Sequence, residues 1–303
     1  MDQMGTILTS GLTVQLSPAQ LFVGAGLLGM VLLSNAKSLL FMWHGRLFSQ
    51  LARHFVLRRA QLTVKNATHG GESLFAPVVT SSYAPLLDID YNLHKSNSTF
   101  FNDLDDNRTE LMLALFKNVV KPQKHGKDDL KPKMFNLGGT SCIFKKAIPP
   151  FARYEISSRV LCWDQKWVYV VSHFAKPGSN KPTKFLLGPQ AAKSTTSDKK
   201  VGDQLDRIYA TAITKYVFKS GRVTCSPESV MVECGLLPAR PTTEGLQGLE
   251  RAISIAKECD GHWSWEDVQT ECSKHLEVAQ NFGSLDQLHS TFVGRSGPAL
   301  YPY

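Results

Sequence analysis

The chain has 303 residues, 43% hydrophobic and 20% charged, enough to bury a full core in one domain with extensions or in two small domains. Its 34 basic and 26 acidic residues leave a formal charge of +8, which suits an anionic partner: a membrane surface, an acidic carrier protein or nucleotide phosphates. No zinc-finger spacing, basic zipper or aromatic RNA-binding motif accompanies that charge, so nucleic acid is not an expected partner.

In chain order, the first feature is an apolar run from Leu21 to Leu33 that includes Gly24, Gly26 and Gly29. Counted from Leu16, it approaches the roughly 20 residues that a bilayer span needs. Asp2 is the only charge before it, whereas Lys37, Arg46, Arg53, Arg58, Arg59 and Lys65 follow. That asymmetry argues against a cleaved signal peptide and, by the positive-inside rule, places the rest of the chain in the cytosol. The segment from Trp43 to Leu57 carries apolar Trp43, Leu47, Leu51 and Phe55 beside basic Arg46 and Arg53. It is expected to lie on anionic lipid, or else to pack on the protein's own body as part of a helical hairpin. Residues 1–64 are thus read as a hydrophobic anchor with a basic juxtamembrane helix. Three glycosylation sequons, at Asn66, Asn97 and Asn107, are expected to be unused.

Residues 65–73 read as a linker, and the stretch from Phe75 to Leu87 is rich in strand formers. A helix is expected from Asn97 to Val120, where Phe100, Phe101, Leu104, Leu111, Met112, Leu115, Phe116 and Val119 recur at three- and four-residue spacing. Asn97 or Ser98 can cap its start, Asp103 suits its first turn, and Arg108 has a natural partner in Asp105 one turn earlier. Three strand-like runs follow: Met134 to Phe144, Arg153 to Trp163 and Trp167 to Phe174, the last two joined by a short turn. Residues 176–204 read as a loop insertion, followed by strands from Ile208 to Phe218 and from Arg222 to Cys225. Beyond Pro227, helices are expected from Gly245 to Cys259 and from Trp265 to Ala279, with no evident chemistry. Six cysteines (Cys142, Cys162, Cys225, Cys234, Cys259, Cys272) form no C-x-x-C pair and read as reduced thiols. Strand, long helix, then four or five antiparallel strands describe an α+β fold in which a curved sheet wraps one apolar helix.

Where the first strand meets that helix, Asp88, Asp90, Asn92, His94 and Asn97 crowd together. A helix start offers free N–H groups and a positive dipole end for a carbonyl that gains negative charge. A nearby carboxylate can act as base or nucleophile, an imidazole can share the proton transfer, and an amide can orient substrate. Caps, turns and a structural histidine explain the same residues. His and Cys lack metal-ligand spacing, so neither metal nor other cofactor is expected. The G-x-S-x-G elbow of α/β-hydrolase thioesterases is absent.

Asp90-x-Asn92-x-His94, followed by Asn97 and the pair Phe100–Phe101, resembles the D-x-N-x-H signature of hot-dog thioesterases, in the form found in acyl-carrier-protein thioesterases. The run from Tyr154 to Asp164, then Trp167-Val-Tyr-Val, is similar to the sheet hairpin of a membrane-anchored, largely fungal thioesterase-like subgroup. The resemblance covers roughly residues 72–225, leaving 226–303 as a partly helical C-terminal extension. It implies a hot-dog fold, with Asp90 as general base or nucleophile, Asn92 orienting the thioester or water, and His94 assisting proton transfer. The helix start at Asn97 and Ser98 would polarise the carbonyl, and Gly138 and Gly139 would let substrate approach the backbone or would form a bulge. Plant-type relatives carry two hot-dog repeats; this chain shows one, which implies a homodimer. The implied function is hydrolysis of an acyl-CoA or an acyl or polyketide carrier-protein thioester at a membrane surface. The basic segments 117–133 and 176–200 are candidates to meet coenzyme A phosphates, or are solubilising loops. The alternatives are a non-catalytic acyl-binding module and, ranked last, dehydration of a 3-hydroxyacyl thioester.

Overall fold

A computed structural model describes residues 17–57, 61–121, 131–182, 185–187, 205–240 and 262–291. In chain order the helices are α1 (Pro18–Ser34), α2 (Met42–Ala52), α3 (Asn66–His69), α4 (Thr99–Val120), α5 (Pro227–Glu233), α6 (Trp265–Ser273) and α7 (Leu276–Gly283). The strands are β1 (Val78–Tyr83), β2 (Met134–Phe144), β3 (Arg153–Trp163), β4 (Trp167–Ala175), β5 (Ile208–Ser220) and β6 (Val223–Cys225). They form one antiparallel sheet of order β1-β3-β4-β5-β2, with β6 pairing on β5. The expected strand–helix–strand order and the α+β class hold, and the bounds of β2 and β3 coincide with the hydrophobic pattern.

The sheet closes on α4 through alternate residues. Tyr154, Ile156, Ser158 and Val160 of β3, and Val168, Val170, Ser172 and Phe174 of β4, are all buried toward it, as period-two alternation requires. Around the first turns of α4, Phe100 and Leu104 pack with Tyr154, Ile156 and Phe174. Around its last turns, Leu111, Met112, Leu115, Phe116 and Val119 pack with Val160, Val168, Val170 and Phe218. Arg108 lies on the turn of α4 between these groups. Its guanidinium donates to Leu104 O (3.1 Å), Thr140 Oγ1 (2.9 Å), Thr214 Oγ1 and Asp105 Oδ1 (2.7 Å), so the expected Asp105–Arg108 pair forms. Asn107 is also buried, its amide donating to Val78 O, Thr80 Oγ1 and Ile156 O. The sequon at Asn107 therefore lies inside the fold.

The N-terminal segment departs from expectation. Ser17 and Gln20 form a capping box and Pro18 opens α1, while the backbone N–H of Asn35 closes it on Val31 and Leu32. A single 3-10 turn over Ala36–Ser38 then interrupts the apolar run. Seventeen residues reach about 26 Å, short of the roughly 30 Å of bilayer hydrocarbon. No described helix is long and apolar enough to cross a membrane. This finding overturns the reading of a membrane-anchored chain with a cytosolic catalytic domain. Nor is the basic face that follows left for lipid, because α2 and the π-helical turn Arg53–Leu57 lie along α4. Arg46 pairs with Asp106 (2.5 Å), Arg53 pairs with Glu110, and His54 Nε2 lies 2.9 Å from Glu110 Oε1.

Four further corrections follow from packing. Residues 65–73 are not a linker, because they form α3 and enter a 3-10 turn, Gly71 and Ser73 are buried, and Glu72 contacts His262 and the Trp263 N–H. Asp103 is not in the first turn of α4, which begins at Thr99; it is buried in an ion cluster described below. The helix expected from Trp265 to Ala279 is two, α6 and α7, parted at Lys274 and His275. Lys117, in a segment considered for phosphate contact, is buried and donates to Leu62 O at 2.8 Å. The helix expected over Gly245 to Cys259, and most of the 176–204 insertion, lie outside the described residues.

In the C-terminal extension α5 packs on α4, whereas α6 and α7 pack on β3 and α7 also on β5. Thr214 meets Arg108, so its neighbour Lys215 points to the opposite face. There its ammonium lies over the rings of Trp167 (4.8 Å) and Phe282 (5.6 Å) and pairs with Asp286 at 2.5 Å. At β2 the register with β5 shifts between Leu137 and Gly139, a β-bulge. A Cβ on Gly138 would stand 2.3 Å from Trp167 Cζ3.

Two expected outcomes test this packing by urea unfolding. Phe116→Ala removes a fully buried ring that meets Phe218 edge-on at 4.9 Å and should cost about 3–5 kcal/mol. Gly138→Ala forces the Trp167 ring to move and should cost about 1–3 kcal/mol.

Candidate active site

The loop that carries the motif is built to be short and closed. After β1, Leu86–Asp88 form a 3-10 turn, and an isolated bridge between Ile89 and Lys95 pinches the chain together. Between those residues the Asp90 N–H donates to His94 O (3.0 Å) and the Leu93 N–H to Asp90 O (3.0 Å). Leu93 takes a positive φ of 59° at the tip, a cost that the surrounding hydrogen bonds offset. The Asn92 N–H donates to Asp90 Oδ1 at 2.9 Å, an Asx turn that fixes the carboxylate.

This geometry brings Asp90 and His94 together, with Asp90 Oδ1 3.6 Å from His94 Nδ1 and both side chains partly open to solvent. Asn92 is exposed, and its side chain pairs with no described residue. Asn97 and Ser98 lead into α4, Ser98 standing at the N-cap position without a side-chain cap. Among the described residues, no backbone carbonyl accepts from the N–H groups of Asn97 and Ser98. His94 and Asn97 line a cleft of about 250 Å³ with Phe100, Phe144, Lys145, Lys146 and Ile148. A larger, open cleft of about 880 Å³ lies by the β3–β4 turn, α5 and α6, and includes none of the candidate residues. Gly138 and Gly139 do not join the loop: their neighbours are Trp167, Lys215 and Phe282 of this same chain.

Beneath the loop lies a cluster that the residue pattern alone did not reveal. Lys37, Lys95, Asp88 and Asp103 meet there with side chains 11%, 0%, 6% and 2% exposed. Lys95 Nζ lies 2.9 Å from Asp88 Oδ2 and 3.1 Å from Asp103 Oδ2, and Lys37 Nζ 2.7 Å from Asp103 Oδ1 and 3.3 Å from Asp88 Oδ2. The Tyr154 hydroxyl donates to Asp103 Oδ2 (2.5 Å), and Ser38 Oγ donates to Asp88 Oδ1 (2.5 Å). Burial pushes the Asp88 carboxyl up, but Lys95, the Ser38 hydroxyl and Lys37 outweigh it and hold the group below its ordinary range. Burial and the Asp103 carboxylate keep the Tyr154 phenol protonated, far above its usual range. The available signal was a lysine breaking an apolar stretch at position 37, which needs a partner if it is to be buried.

The profile of the thioesterase-like superfamily matches residues 84–218. The chain is 40% identical over 292 residues to the probable thioesterase AtnL of Emericella nidulans, covering 92% of this chain and 90% of that one. It is 38% identical over 277 residues to the thioesterase PoxG of Penicillium oxalicum, covering 87% of this chain and 84% of that one. Among solved structures it is similar to YbaW, a probable thioesterase from Escherichia coli, at 10% identity and a TM-score of 0.35 over 52% of this chain and 96% of that one. With two relatives aligned along most of its length, the chain belongs to the thioesterase-like superfamily.

Proposed function

We propose that the protein hydrolyses an acyl thioester at the Asp90–His94 loop, its substrate being an acyl-CoA or an acyl or polyketide carrier-protein thioester. The observation that carries this reading is the approach of Asp90 and His94 to 3.6 Å on a closed loop at the start of α4. Asp90 takes a proton from water as the hydroxide adds to the thioester carbonyl; attacking that carbon itself, it would instead expel the thiolate and form an acyl anhydride, which water then cleaves to the free acid and the Asp90 carboxylate. The resulting oxyanion faces the N–H groups of Asn97 and Ser98, which have no described backbone acceptor. Collapse breaks the C–S bond, and the thiolate leaves with the proton held by Asp90 or relayed through His94. Asn92 orients the thioester oxygen or the water.

Lys145 and Lys146 line the cleft together with His94, which favours a thiol carrier bearing phosphate. They are steadied by Leu205 O (2.8 Å) and by the Asp206 carboxylate (2.5 Å). The edge strand β2 exposes Met134, Leu137 and Ile143, which supports pairing with a second copy, as expected for a single-repeat chain.

The test follows free thiol released from a panel of acyl-CoA and acyl-carrier thioesters by the full chain and by Asp90→Asn, with folding of both verified. Asp90→Asn should lower kcat on the order of 10²- to 10⁴-fold, as for loss of a positioned acid–base group. Undiminished release by Asp90→Asn would remove Asp90 from the mechanism. A folded wild type that releases thiol from no thioester would favour the acyl-binding module instead.

A further inference from the structure

The loop's two ends are held by the buried cluster, and half of that cluster's positive charge comes from a distant part of the chain. Asp88 and Lys95 stand on either side of the Ile89–Lys95 bridge, so their side-chain pair closes the base of the Asp90–His94 loop. The backbone repeats the closure, with the Ser96 N–H donating to Asp88 O at 2.7 Å and the Lys95 N–H to Ile148 O at 2.8 Å. Asp88 in turn is gripped by residues 34–38, which run from the last residue of α1 toward α2. Lys37 Nζ donates to Tyr83 O (3.1 Å), Asp88 Oδ2, Asp103 and the Tyr154 hydroxyl, and Ser38 Oγ donates to Asp88 Oδ1. Asn35, itself buried, accepts from the Leu87 N–H (2.9 Å), and the Tyr83 hydroxyl donates to Ser34 O (3.1 Å). Residues 34–38 thus contact the chain from 83 to 88, immediately before the loop.

Charge balance makes Lys37 indispensable to this arrangement. Two buried carboxylates face the buried Lys95 ammonium and the half-buried Lys37; without Lys37 one buried carboxylate loses its counter-charge. The cheapest relief is for Asp88 to turn toward solvent, which opens the base of the loop and moves Asp90 relative to the start of α4.

We propose that Lys37, carried by residues 34–38, is a positioning residue for the Asp90–His94 loop, so that the N-terminal segment is part of the catalytic apparatus; the catalytic half of this inference rests on the thioesterase reading above. Lys37 touches no reacting atom and acts through Asp88 and Lys95. Displacement of a catalytic group by about 1 Å costs on the order of 100-fold in rate.

The experiment compares the full chain with Lys37→Met, Ser38→Ala and the surface control Lys274→Ala, by thioester kinetics and by amide hydrogen exchange. Lys37→Met should lower kcat on the order of 100-fold with KM little changed. The amides of Asp90, Leu93, Lys95 and Ser96 should exchange faster, while those in the middle of α4 and β4 keep their protection. Ser38→Ala, which removes one contact to Asp88 and leaves the charge balance intact, should move both readouts the same way by less. It decides the matter if Lys37→Met fails to fold. Lys274→Ala should match wild type. Unchanged kcat and unchanged exchange at the loop would overturn the proposal, as would faster exchange spread evenly over α4 and the sheet. If the wild type hydrolyses no thioester, the catalytic reading fails by itself, and local exchange at the loop still decides whether Lys37 positions it.

Discussion

Two lysines and two aspartates set side by side tie four separate stretches of the chain together. Isolated, each charge would cost several kcal/mol to remove from water, so the set persists only when all four are present and hydrogen-bonded. Lys37 comes from the turn after α1, Asp88 and Lys95 from either end of the motif loop, and Asp103 from the second turn of α4. Tyr154 reaches in from β3 as a neutral donor. The cluster therefore states which parts of the chain must meet: an N-terminal segment, a loop, a helix and a strand.

Helix α4 transmits that constraint to the rest of the molecule. Its first turns share Phe100 and Leu104 with the sheet, its middle carries Arg108 and Asn107 as buried donors, and its last turns hold Phe116 and Val119 against β5 and α5. The face not covered by the sheet presents Asp106 and Glu110, which are matched by Arg46, Arg53 and His54. A helix so enclosed gives a loop at its N-terminus a fixed frame, the condition for holding catalytic groups within a fraction of an ångström. The outer face of the sheet is not left open either, since α7 and the turn after it settle on Lys215 and Tyr169.

Much of the candidate site was legible locally. Asp90, Asn92, His94 and Asn97 lie within eight residues of one another, so their spacing alone placed them at one strand–helix junction, and the Asx turn and loop closure are short-range consequences of that spacing. The Asp105–Arg108 pair was legible for the same reason, being one helical turn apart. Gly138 and Gly139 were ambiguous because a glycine pair in a strand says only that something approaches closely. What approaches is Trp167, two strands away in spatial order.

The sequence by itself determined the α+β class, the strand order along the chain with the long helix α4, the family and the polar cluster before α4, because periodicity, turn chemistry and motif spacing act between residues a few positions apart. Only the tertiary structure decided where the basic segment after α1 packs. An apolar run followed by basic residues reads as an anchor or as a helical hairpin on the protein's own body, and local composition does not choose between them. Yet Lys37 finds its carboxylates 51 and 66 residues away, and Arg46 finds its own 60 away. Pairing over such distances leaves no mark in local composition. It is settled by desolvation and charge balance at the point where the chain returns on itself.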